Sequence, residues 1–206
     1  LVPPIPSYPE AESITGQEIE KGTSLLADAG FENGEGLPEI VINISKGGDS
    51  LRIAEIMQQT WEQHLEVTVA VKQYAYPDYY AELKKTDYTL GTITWIGDFP
   101  DPLTFLQMWT SGSNLNDAQY SSEEFDSIIK QSMSEEGEDR YTSLSKAEQL
   151  ILEEAVVLPI RHSPAFNLID LDDITGWYPN PLDIHPYKYI EFVQYRVPPG
   201  VVLNTR

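Results

Sequence analysis

The sequence predicts an α/β fold class, a mixed sheet flanked by helices, and three observations carry that reading. The β-branched run IVINI at residues 40–44 reads as a buried strand. The next stretch, from Asp49 or Ser50 to about Gln63, has Ile53, Ile56, Met57 and Trp61 on one helical face. Val67, Val69 and Val71 then alternate with Thr68 and Ala70 as a second strand. A strand, a helix and a strand in that order favour a crossover unit, hence strands that run at least partly parallel.

The remaining elements rest on local signals. Pro3, Pro4, Pro6 and Pro9 forbid a regular helix or central strand at the start of the chain. Ile19, Leu25, Leu26 and Ala29 recur at near-helical spacing, which predicts a helix over 16–29 stopped by Gly30. Gly47-Gly48 ends the first strand. A short helix is expected over 79–85 and a strand over 88–95. The polar loop WIGDFPDP then leads to a helical segment over 103–109, with Asp101-Pro102 as its start. Two amphipathic helices are expected over 122–131 and 140–154, separated by the acidic break SEEGED, with Leu144, Ala147 and Ile151 as the buried stripe of the second. VVLPI at 156–160 reads as an edge strand because of Pro159, and 189–193 as a late strand. The organisation expected is a connecting segment over 1–15, one lobe over 16–192 and a tail over 193–206. The proline-rich ends suggest a piece of a longer chain.

Composition removes several function classes. The 206 residues include 13 Lys+Arg and 33 Asp+Glu, a net charge of −20, with 41% hydrophobic and 11% aromatic residues. So acidic a surface repels nucleic acid and anionic lipid, and no nucleic-acid partner is expected. The absence of Cys excludes disulfides, thiolate metal sites and Cys nucleophiles. No stretch approaches the roughly 18–20 apolar residues of a membrane span. GxGxxG, P-loop, GxSxG and HExxH patterns are missing. His64, His162 and His185 are far apart and share no metal-ligand spacing, so neither a metal nor a cofactor is expected. His64 falls where the second helix should end, which suits a protonated ring at a helix C-terminus.

The informative segment is Trp95-Ile96-Gly97-Asp98-Phe99-Pro100-Asp101-Pro102. A β-rich run delivers an aromatic and then a carboxylate to a strand end, a place where α/β sheets commonly bind ligands. Gly97 allows close backbone approach, and an acid flanked by Trp95 and Phe99 is partly shielded from water, which strengthens its attraction for a cation. The same residues also read as Asp-Pro turn formers beside a core Trp. Asp98 and Asp101 invite a third reading, the paired acids of a carbohydrate-active hydrolase, although nothing in the sequence sets their separation. A fourth is an interaction module with an acidic docking face, since acidic runs occur at Glu123-Glu124 and over 135–139. Lys46, after the first strand, reads either as a solvated cation or as a partner for a ligand carboxylate.

The order of segments resembles the second lobe of the family 5 extracellular solute-binding proteins, the oligopeptide-, dipeptide- and nickel-binding components of ABC importers. GQEIEKGTSLLADAGF, LRIAEIMQQTWEQHLEVTVAV, YYAELKKTDYTLGTITWIGDFPDPLTFL, AQYSSEEFDSII and RYTSLSKAEQLILEEAVVLPI carry the likeness, over roughly residues 12–192. Each is loose alone, but five in the family's order are hard to obtain by chance. The resemblance implies one lobe of a two-lobed periplasmic-binding-protein-like (type II) fold that closes on a ligand. The first lobe would precede this chain, and this piece would continue to the natural C-terminus. It further implies a non-enzymatic receptor for peptides, a membrane permease as partner, and a periplasmic or extracytoplasmic, lipid-anchored setting. By position Asp98 would pair with a peptide's α-ammonium, while Trp95 and Phe99 line the pocket and the loop backbone, Gly97 included, pairs with the extended ligand. Thr92 departs from members that carry an Arg there, and His64 from those with a helix-ending Gly.

Overall fold

The computed structural model describes residues 1–11, 18–180 and 182–193. The chain forms two compact units, one comprising Leu1–Trp95 with Pro102–Pro159, the other Ile96–Asp101 with the described residues from Ile160 onward.

In the first unit, helix α1 (Ile19–Asp28) precedes strand β1 (Ile40–Ser45), helix α2 (Ser50–Leu65) and strand β2 (Val69–Tyr74). Helix α3 (Tyr76–Leu83) and the short strand β3 (Leu90–Gly91) come next. The three strands are parallel in the order β2–β1–β3, with Ile42 level with Val71 on one side and Leu90 on the other. Parallel strands must be covered on both faces. Ile42 and Ile44 are fully buried on the α2 face against Ala54, where Met57 and Trp61 also pack. Asn43 points to the opposite face by strand alternation, and there Tyr79 of α3 donates its hydroxyl to the Asn43 carbonyl at 2.9 Å.

Several boundaries differ from those expected. α2 runs to Leu65 and stops on Glu66, held left-handed at φ 55°, so the helix-ending position is Glu66 rather than His64. Ile56 is 53% exposed, and Ala54 takes the buried place instead. α3 begins three residues early because Pro77 fits its first turn, where a missing N–H costs nothing. The 88–95 strand shrinks to two ladder residues, although Thr89 N–H (to Val41 O, 2.9 Å) and Thr92 N–H (to Asn43 O, 3.1 Å) extend its backbone contact with β1.

The rest of this unit is helical. Helix α4 (Leu103–Leu106) runs into a 3₁₀ turn, Gln107–Trp109, and helices α5 (Glu123–Ser132) and α6 (Gly137–Glu153) pack beside it. Leu106, Phe125, Leu144, Ala147 and Ile151 are fully buried, as the periodicity of α6 predicts. Ser122 caps α5 by accepting the Phe125 N–H at 3.2 Å. α6 starts at Gly137 rather than Arg140, because Glu138 and Asp139 of the acidic break form its first turn and complement the helix dipole. Residues 156–160 join no ladder. Val156 and Val157 pack on the helical core instead, and Pro159 has no N–H to offer a neighbouring strand.

In the second unit, strand β4 (Ile174–Thr175) pairs antiparallel with strand β5 (Glu191–Phe192), so the late strand is shorter than expected and Tyr187–Tyr189 forms a 3₁₀ turn before it. Gly176 lies beside this hairpin at φ 82°, where a Cβ would fall 1.7 Å from the Tyr189 carbonyl oxygen, so only glycine fits. His185 stacks on Trp177 with ring centroids 4.9 Å apart and pairs with Asp183 at 2.9 Å. Phe166, Leu168 and Phe192 lie open at 90%, 103% and 84% exposure.

Candidate functional site

Parallel α/β sheets present ligands to the carboxyl ends of their strands, where loops and helix N-termini converge. Here that edge is formed by the segments that leave Ser45, Tyr74 and Gly91. After β1 the chain turns through Gly47 and Gly48, at φ 109° and 60°, before entering α2. Lys46 opens this turn. Its N–H donates to the Tyr74 carbonyl at 2.8 Å and its side chain is exposed, which leaves the ammonium available to solvent or ligand.

The segment beyond β3 is aimed by one buried phenol. Tyr79, 3% exposed, donates its hydroxyl to Thr92 O at 2.6 Å as well as to Asn43 O, with Thr92 Oγ1 at 3.2 Å. Burial pushes the phenol pKa up, only partly offset by its bonds to Thr92, so it remains a donor. The strand exit to Trp95 is thereby tied to β1. Trp95 is half-buried, donates its indole N–H to Thr104 O at 2.9 Å and packs against the helical core. Its ring is anchored on the core while part of its surface remains open.

Gly97, Asp98 and Phe99 belong to the other unit, in Ile96–Asp101. The chain bends at Asp98 and closes a tight turn in which Asp101 N–H donates to Phe99 O at 2.9 Å. Gly97 is buried, Phe99 half-buried and Asp98 exposed. The structure thus places Lys46 and Trp95 in the first unit and Gly97, Asp98 and Phe99 in the second.

Two aromatic residues escaped the sequence reading. Tyr76 and Tyr80 open α3 at the same carboxyl edge, 66% and 42% exposed, with ring centroids 5.7 Å apart in an edge-to-face pair. The signal that could have found them was a Tyr in the first helical turn after a parallel strand, with Tyr79 and Leu83 taking the buried side of the same helix. Among the described residues no cluster of three or more His, Asp or Glu could hold a metal, and no helix is long and apolar enough to cross a membrane. A cavity of about 340 Å³ between α1 and α2, lined by Ile19, Met57, Trp61 and His64, lies toward the opposite ends of the strands and contains none of the expected site residues.

The parallel sheet with helices packed on it, and the glycine turn at its carboxyl edge, are features of an α/β fold. The chain belongs to the bacterial extracellular solute-binding proteins, family 5; the model of that family's middle region matches residues 1–117. It is 31% identical over 145 residues to the oligopeptide-binding protein OppA of Bacillus subtilis, covering 69% of this chain and 26% of that protein. It is 30% identical over 173 residues to heme-binding protein A of Haemophilus influenzae, covering 81% of this chain and 31% of that one. Among solved structures, the periplasmic oligopeptide-binding protein OppAIV of Borrelia burgdorferi superposes with a TM-score of 0.72 at 27% identity, over 93% of this chain and 39% of that one. The chain thus spans about a quarter to a third of the length of these curated relatives.

Proposed function

We propose that this chain is the ligand-holding part of a peptide receptor that serves an ABC importer, and that it binds its cargo without turning it over. The single observation that carries the reading is Asp98, an exposed carboxylate on the tight turn after Trp95, in a family whose members are solute-binding proteins. Relatives described as oligopeptide-binding support a di- or oligopeptide as cargo. In this reading Asp98 receives the peptide's α-ammonium, the Gly97 backbone pairs with the extended ligand, and Trp95 and Phe99 supply apolar walls. Lys46 meets a carboxylate of the ligand. The cargo would be enclosed when a second lobe closes over it. The protein would act outside the cytoplasmic membrane, lipid-anchored, and deliver to a membrane permease.

An ammonium–carboxylate pair taken out of water forms charge-assisted hydrogen bonds about twice as strong as neutral ones. Removing one partner of such a buried pair costs about 3–5 kcal/mol, or roughly 10²–10³ in affinity. Calorimetry on the intact receptor should show Asp98→Asn weakening peptide binding at least about a hundredfold, with an N-acetylated peptide suffering equally against the native protein. Unchanged affinity in either experiment would remove Asp98 from the site.

A further inference from the structure

Val2, Ile5 and Tyr8 pack on the helical core of the first unit, and a buried acid holds their segment there. Glu148 of α6 is 3% exposed, on the same helix as the fully buried Ala147 and Ile151 of the apolar cluster. Its Oε1 accepts the Val2 N–H at 2.7 Å, while its Oε2 accepts the Tyr8 hydroxyl at 2.9 Å. Both carboxylate oxygens therefore bind the segment 1–8 across more than a hundred residues of sequence. A carboxylate so deeply buried is strongly disfavoured unless its lone pairs are met by donors, and these donors come from that segment.

The segment is built to be held. Pro3, Pro4 and Pro6 have no N–H to donate, and the segment closes one turn, at Pro6-Ser7, where the Tyr8 N–H donates to Ile5 O at 3.1 Å. Val2 inserts into the core at 8% exposure, Ile5 and Tyr8 pack on the surface of that core, and Tyr8 meets Tyr141 edge to face at 5.7 Å. Trp95 rests on the same cluster, with Leu106 and Trp109 among its buried members. The anchored segment and the strand exit leading to the candidate site thus share one packed body.

We propose that Glu148 is a positioning residue, which latches residues 1–8 onto the helical core and thereby fixes the seat of Trp95. The significance of Trp95 for ligand rests on the function proposed above, but the latch itself is tested without any ligand, so the two can fail separately. The four tryptophans provide the readout, since Trp95 and Trp109 belong to this core, Trp61 to the sheet core and Trp177 to the other unit. In Glu148→Met, which keeps the bulk of the side chain but has no oxygen to accept, hydrogen exchange by NMR should quicken at least about tenfold at the Val2 amide and the Trp95 indole N–H. Trp61 and Trp177 should keep their native rates. Tyr8→Phe, which removes one donor and retains the ring, should show the same pattern more weakly and serves if the first variant does not fold. A Trp95 indole that keeps its native rate in both variants would overturn the latch, as would equal acceleration of all four indoles, the mark of general destabilisation.

Discussion

Removing one oxygen atom from Tyr79 tests how the sheet aims the strand exit. In Tyr79→Phe the ring still fills its place on the buried side of α3, so packing is conserved and only the hydroxyl is lost. Its bonds to Thr92 O at 2.6 Å and Asn43 O at 2.9 Å disappear together. Asn43 O is not orphaned, because the Thr92 N–H still donates to it at 3.1 Å, and Thr92 is only partly buried, so water can serve its carbonyl. The cost therefore falls near the ordinary net worth of a hydrogen bond, about 1–1.5 kcal/mol, and not at the 2–3 kcal/mol of a stranded buried group. Amide exchange at Ile42 and Ile44, at the centre of the sheet core, should report that loss as a faster rate of roughly five- to twelvefold. The alkaline limb offers a second reading. A tyrosine whose folded pKa lies above its unfolded value of about 10 favours folding fully below that value, and the contribution is lost as pH rises toward the raised one. The native sheet should thus weaken above about pH 10, and Tyr79→Phe should weaken less steeply. Exchange in the variant within twofold of the native rate would refute the claim that this phenol ties β1 to the segment beyond β3.

Local geometry sets three further outcomes. Glu66→Gly should stabilise the chain by about 0.5–1 kcal/mol in urea unfolding, since Glu66 occupies φ 55°, where only glycine is unstrained. Ser122→Ala should cost about 1 kcal/mol by deleting the cap of α5, and amide exchange should place the loss at Phe125 and its neighbours. The Asp183 carboxyl should titrate below the usual carboxylate range, because Asn167 donates to it at 2.7 Å and His185 pairs with it. Its contribution is present above the unfolded pKa and is lost as pH falls through the folded one, so Asn167→Ala should move the carboxyl titration, monitored by NMR, back up.

Legibility in the sequence tracked the strength of the competing forces. The run IVINI announced β1 because β-branched residues covered on both faces have few other uses, and the stripe Leu144, Ala147, Ile151 announced α6 because a 3.6-residue period survives any change of ends. Boundaries fared worse where a cap was decided by tertiary contact. The first turn of α6 looked like a break because it is acidic, yet an acidic first turn is what a helix N-terminus favours. Residues 156–160 have strand composition, but their valines had a helical core to cover, and packing outweighed propensity. Glu148 was hidden for a similar reason. In sequence it is one acid among many on α6, and only the fold reveals that it faces inward toward residues from the far end of the chain.

The role proposed for Asp98 turns on electrostatics. A carboxylate and an ammonium 4 Å apart attract by about 1 kcal/mol in water but by about 4 kcal/mol at the effective dielectric constant of a protein surface. Asp98 is exposed in this chain, so by itself it offers a ligand little more than the first value, about a fivefold preference. The larger value requires water to be displaced from the turn, which an exposed carboxylate on its own cannot do. In the function proposed above, selectivity for a free amino terminus would therefore arise from whatever covers Asp98 when ligand is bound. Titrating one peptide and its N-acetylated form against this chain and against the intact receptor measures that step directly. The chain alone should discriminate between them by less than about tenfold, and the intact receptor by a hundredfold or more. Equal discrimination by both would mean that the turn carries its own low-dielectric pocket, contrary to the exposure of Asp98.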